Sequence, residues 1–235
     1  MSDADLRELE RRFRETGCVE DEAAWLRARA QAGELEKSRL ELAAYCHHEA
    51  AVTALGLEAL GEQRGFRRWA NGLSAWGLEA YNRVQIAAAY AALVVWEGGP
   101  STLRAAACLA DMREDVLRGS PRQAVGAVEA WLHCPCPKHK EAASTRTLAF
   151  GVPRTRTSVA AALRSVVQLA WGVDRDEDSQ RIEDDEKLLS FAEQATSPDI
   201  VRAAVRADLI PWALGYRDPV RERVEARQRA EAAGE

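Results

Sequence analysis

Lysine, isoleucine and asparagine are nearly missing from this chain of 235 residues, at 4, 4 and 2 copies. Aromatic residues make up only 6%. β-Branched and aromatic side chains suit a pleated surface, so their scarcity outside valine excludes an all-β fold and argues against a doubly wound α/β sheet. Long hydrophobic runs are missing too. The stretch Ile86 to Trp96 is apolar but falls short of the ~18 residues a membrane helix needs, so no membrane association is expected. Met1 to Arg14 alternates acid and base with no hydrophobic export segment, which makes the cytoplasm the expected location. There is no basic surplus: 32 Lys and Arg against 37 Asp and Glu give a net charge of −5. Without one, few counterions are released on a phosphate backbone, and nucleic acid is excluded as the main partner. No G-x-S-x-G elbow, phosphate-binding loop, G-x-G-x-x-G or H-E-x-x-H is present, so no catalytic residues are assigned.

What remains is helix-forming. Alanine occurs 44 times and arginine 28 times, beside abundant Leu and Glu. Helix punctuation is dense. Gly17 and Gly33 stop the first two helices, the second running from Glu20 to Ala32. Ser38 and Glu41 have the spacing of a capping box. A short helix is expected over Glu49 to Leu60. Trp69, Leu73 and Trp76 form an i, i+4, i+7 stripe, and a long alanine-rich helix follows from Glu79 to Trp96. Further helices are expected over 101–117, 121–132, 138–149, 157–172, 179–195, 198–209 and 218–231. Ser120-Pro121 and Ser197-Pro198 supply a serine cap with proline in the first turn. The reading is all-α, either a multi-helix bundle or a short HEAT-like helical stack. It divides into an N-terminal helical segment (1–60), a main body (66–216) and a charged C-terminal helix or tail (217–235), all within one structural unit. The seven tryptophans fall among alanines, the large–small alternation of closely packed helices.

Two stretches carry chemistry. Between two helices lies Trp131-Leu-His133-Cys134-Pro135-Cys136-Pro137-Lys138-His139. Cys134, Cys136 and His139 are thiol and imidazole donors at a spacing zinc accepts, and the prolines stiffen the turn. The fourth ligand would be His133 or come from Cys46, His47 or His48. The alternatives are a redox thiol pair or a rigid turn with no ligand; with five cysteines and no export signal, disulfides are not expected. The second stretch is acidic, Asp174, Asp176 and Asp178 continuing to Asp184 and Asp185. It imitates a calcium loop but puts Ser179 where glycine is needed and Asp185 where a bidentate Glu is needed. It reads instead as a solvated loop or as a charged face for a basic protein partner, with Trp69 or Trp76 as a hydrophobic anchor.

Glu20 to Arg27, Gly33 to Leu35 and Arg39 to Ala51 resemble segments of all-helical proteins of myxobacteria and planctomycetes with no assigned chemistry. So do Trp69 to Gly77, Val95 to Glu97, and Pro121 to Ala124 with Glu129 to Cys136. The approach from Pro121 to the Glu129-Ala-Trp131 segment is also distantly similar to immunity proteins of bacterial polymorphic toxin systems. That resemblance points to a non-enzymatic binding module, either an immunity-type or an adaptor protein, and no cofactor is expected. It does not require the Cys-Pro-Cys turn, so it lends nothing to a metal site. The alternatives are a zinc-stabilised helical protein and an enzyme of unrecognised type.

Overall fold

A computed structural model of the chain describes residues 3–57, 65–99, 121–147, 158–171 and 178–234, with side chains for all of these except 145–147, 170–171 and 178–185. The described residues form twelve α-helices, one 3₁₀ turn and no strand. In chain order they are α1 (Asp3–Thr16), α2 (Val19–Ala32), α3 (Lys37–Tyr45), α4 (Glu49–Ala54), α5 (Phe66–Gly72) with the 3₁₀ turn Leu73–Trp76, and α6 (Leu78–Gly98). Then come α7 (Pro121–His133), α8 (Pro137–Thr147), α9 (Ser158–Trp171), α10 (Asp178–Ala195), α11 (Pro198–Ala213) and α12 (Pro219–Ala233). Among the described residues no helix is long and apolar enough to cross a membrane. The helix expected over 101–117 lies outside the described residues.

The arrangement is a bundle around α6. This helix is apolar on nearly every face and packs against α7, α9, α10 and α11 together, which a stack of successive helix pairs would not do. Ala80, Ala87, Ala88, Ala89, Ala91 and Ala92 on α6 are all buried, so its neighbours approach closely. The bulk that fills the gaps comes from Trp69, Leu73, Leu93, Leu163, Leu188, Leu189 and Leu209, each almost fully enclosed.

Several ends differ from the sequence expectation for identifiable reasons. Helix α3 starts at Lys37 behind Glu36, with no side-chain cap, so Ser38 and Glu41 do not make a capping box; Glu41 pairs instead with Lys37 at 3.4 Å. Helix α4 ends at Ala54 rather than at Leu60. The stripe through Trp69 and Trp76 tightens to 3₁₀ after Gly72. Helix α11 continues through Pro211 to Ala213. Proline forfeits one hydrogen bond there, but the last turn is held from outside. The Arg39 and Arg83 guanidiniums lie over the Trp212 ring at 4.7 and 4.5 Å, and Arg39 also donates to the Trp212 carbonyl.

The N-terminal helices are tied to the turn that follows α11. Phe13, Trp25 and Tyr216 stack on one another with centroids 5.4 to 6.5 Å apart. Arg29 lies over Trp25 and donates to the Leu214 carbonyl at 2.7 Å. Helix α12, which its mixed charges mark as a solvated end, is anchored through Arg223 and Arg227. Both reach the fully buried carboxylate of Glu129 on α7, at 2.8 and 2.6 Å.

Helix α3 closes with an unusual residue. The His47 and His48 N–H groups donate to the carbonyls of Ala44 and Ala43 at 2.8 and 3.1 Å, and His47 has φ +59°. That is the left-handed C′ position of a Schellman motif, where glycine is favoured because it lacks a Cβ. Replacing His47 by glycine is expected to raise stability by about 0.5–1 kcal/mol, read as a higher urea midpoint at unchanged slope. An unchanged or lower midpoint would show that the imidazole packing outweighs the backbone strain.

Candidate metal centre

The turn between α7 and α8 is built from backbone outward. The Cys134 N–H continues the last turn of α7 by donating to Ala130 O at 2.9 Å. The Cys136 N–H closes a tight turn onto Cys134 O at 2.8 Å. Cys136 then stands at the N-cap of α8, accepting from the Lys140 N–H at 3.0 Å, with Pro137 at the first helical position. His139 is the third helical residue, the position whose side chain folds back to the cap. Its Nδ1 lies 3.4 Å from the Cys136 sulfur and 3.0 Å from the Cys134 carbonyl.

The donor atoms of Cys134, Cys136 and His139 thus all lie within 4.8 Å of one another. A tetrahedral zinc with ordinary bond lengths puts sulfur and nitrogen about 3.6 Å apart and two sulfurs about 3.8 Å apart. The donor set fits such an ion with small side-chain movements. Cys134 is exposed, and Cys136 and His139 are half-buried. The His139 backbone N–H, aided by the Cys134 thiol, holds Cys136 below the usual thiol range. The hydrogen bond with Cys136 pushes Cys134 up. The arrangement therefore sets a sulfur made more acidic by its hydrogen bonds beside a second thiol and an imidazole.

Among the described residues this is the one cluster of three or more such donors, and the fourth ligand sought in the sequence does not join it. His133 lines a neighbouring groove of about 560 Å³ with Leu78, Ile86, Trp131 and Pro135. Cys46, His47 and His48 belong to the corner between α3 and α4. Cys46 is fully enclosed and burial pushes its thiol up to about 12, the wrong direction for a ligand. His48 Nε2 sits 3.6 Å from Glu22, and the His47 carbonyl accepts from Arg206 at 3.1 Å. Burial pushes both imidazoles below their usual range, so Arg206 supplies the cation at this helix end.

Of the residues expected to meet a partner, Asp174 and Asp176 lie outside the described residues. So do the side chains of Asp178, Asp184 and Asp185, whose backbone begins α10. Trp69 is only 1% exposed and lies under the Arg202 guanidinium at 4.6 Å, in the core. Trp76 is half-buried and packs on Tyr45 with centroids 4.7 Å apart.

Sequence reading missed a polar network inside the bundle. Glu129 accepts from the Tyr90 hydroxyl at 2.8 Å, from Arg223 and from Arg227, while Arg223 forks onto both oxygens of Asp208 at 2.8 and 2.5 Å. Burial and the Glu129 carboxylate both push the Tyr90 hydroxyl up, which keeps it a donor. Burial opposes the Arg223 charge, but Asp208 and Glu129 more than offset it, and its pKa is raised. The one signal in the sequence was an acid set in the apolar run of α7 between Ala124 and Trp131. No family model, curated protein or solved structure matches the chain.

Proposed function

We propose that this is a metal-binding helical protein that holds zinc at Cys134, Cys136 and His139. The observation that supports it is the convergence of two sulfurs and an imidazole nitrogen within 4.8 Å on a stiff turn. Soft thiolates with one imidazole select zinc and similar ions over magnesium or calcium, whose sites are built from oxygen. Binding needs both thiols deprotonated, so one zinc displaces protons and affinity rises with pH.

The test is a zinc titration of the full chain against a chromophoric chelator, with elemental analysis of the loaded protein. One equivalent is expected. Cys134→Ser, Cys136→Ser and His139→Ala should each weaken binding by more than the roughly 10- to 100-fold that loss of an outer partner costs. Cys46→Ser is expected to change nothing. Sub-stoichiometric zinc, or affinity unmoved by all three ligand changes, would overturn the reading.

A further inference from the structure

The position of this centre in the fold bears on what the metal is for. We infer that the zinc is exchangeable cargo, taken up and passed on through its fourth coordination position to thiolate or chelating acceptors, and not a staple of the fold. The inference rests on the zinc reading above. Structural zinc sites are closed, with four protein ligands. Here three donors converge, and Cys134 is exposed to solvent. The exposed Cys134 gives an incoming ligand access to an ion held there, and among the described residues no fourth Cys, His, Asp or Glu closes that side.

The turn also does not depend on the ion for its shape. Its backbone bonds from Cys134 to Ala130, Cys136 to Cys134 and Lys140 to Cys136 are all made, and the two prolines restrict what remains. The three donors lie within six consecutive residues. An unfolded chain therefore keeps nearly the same ligand set, because closing so short a loop costs little entropy. A metal that the unfolded chain also binds adds less to stability than one whose ligands only the fold brings together. The ion can then leave without unfolding anything.

Transfer is ligand substitution without redox change. An acceptor donor forms a bond to zinc at the open position, and the bond to His139 breaks. Further acceptor donors then replace Cys134 and Cys136 in turn. Zinc stays divalent throughout, and each freed thiolate takes a proton from solvent.

The experiment loads the full chain with one equivalent of zinc and mixes it with excess 4-(2-pyridylazo)resorcinol, whose zinc complex is coloured. The transfer rate is expected to rise in proportion to chelator concentration, and to be several-fold faster for His139→Ala. Thermal midpoints of zinc-free and zinc-loaded protein are expected to agree within about 3 °C. A rate independent of chelator concentration, or a midpoint raised by roughly 10 °C or more, would overturn the cargo role while leaving the zinc site standing. Failure to load one equivalent in the first step would overturn the zinc site itself, and the cargo role with it.

Discussion

Replacing Glu129 by alanine is expected to destabilise the fold by about 3–5 kcal/mol and to lower the thermal midpoint by roughly 10 °C. The carboxylate is fully buried and is the meeting point of α6, α7 and α12 through Tyr90, Arg223 and Arg227. Two arginines and two acids balance in this network. Without Glu129, Arg223 keeps its fork onto Asp208, but Arg227 retains only neutral partners, the Tyr90 hydroxyl at 3.1 Å and the Gly126 carbonyl at 3.2 Å. A guanidinium two-thirds enclosed then has no counter-charge. Urea denaturation followed by circular dichroism measures the loss. Glu129→Gln keeps the shape and removes the charge, so it should fall most of the same way. Pairing Glu129→Leu with Arg227→Met should recover part of the loss, because apolar replacement of both partners removes the stranded charge. A loss below about 1 kcal/mol for Glu129→Ala would mean that water reaches the network and screens it.

This network also shows why some of the fold was legible in the sequence and some was not. Signals carried by one or two neighbouring residues were readable. Ser197 caps α11 by accepting from the Ile200 N–H at 3.3 Å, Gly33 ends α2 at φ +78°, and the Cys-Pro-Cys turn stands between two helices with His139 one helical turn beyond. What the sequence hid depends on elements far apart in the chain. Arg223 and Arg227 sit on a helix of mixed charge, which by itself reads as solvated; only the position of α7 turns them into buried partners. Gly126 looks like a weak point in α7, yet a Cβ there would lie 3.0 Å from the Arg227 side chain, so the glycine makes room for the arginine. Pro211 reads as a stop, but arginines from α3 and α6 stack on the next residue and hold the helix past it. The same limit applies to the candidate metal centre. Its three local donors were legible from spacing. The expected fourth ligand, taken from Cys46 to His48, required a long-range contact that the bundle does not make.

Trp69→Ala is expected to cost about 3–5 kcal/mol, the range for emptying a buried aromatic site. The ring is almost entirely enclosed, tilted against Phe66 at 6.1 Å and covered by Arg202. Its indole N–H reaches the Tyr45 carbonyl at 3.4 Å, and the Tyr45 hydroxyl donates back to the Trp69 carbonyl at 3.1 Å. Truncation therefore opens a cavity where α3, α5 and α11 meet and removes a reciprocal polar tie as well. Trp76→Ala, at a half-buried ring that packs on Tyr45, should cost only about 1 kcal/mol. The contrast separates two roles that a tryptophan stripe at helical spacing leaves indistinguishable. A core residue loses stability when truncated; a partner anchor loses affinity and leaves the urea midpoint where it was. Equal, small effects at both positions would show that Trp69 is not packed as the structure places it, and would return both rings to consideration as a binding surface.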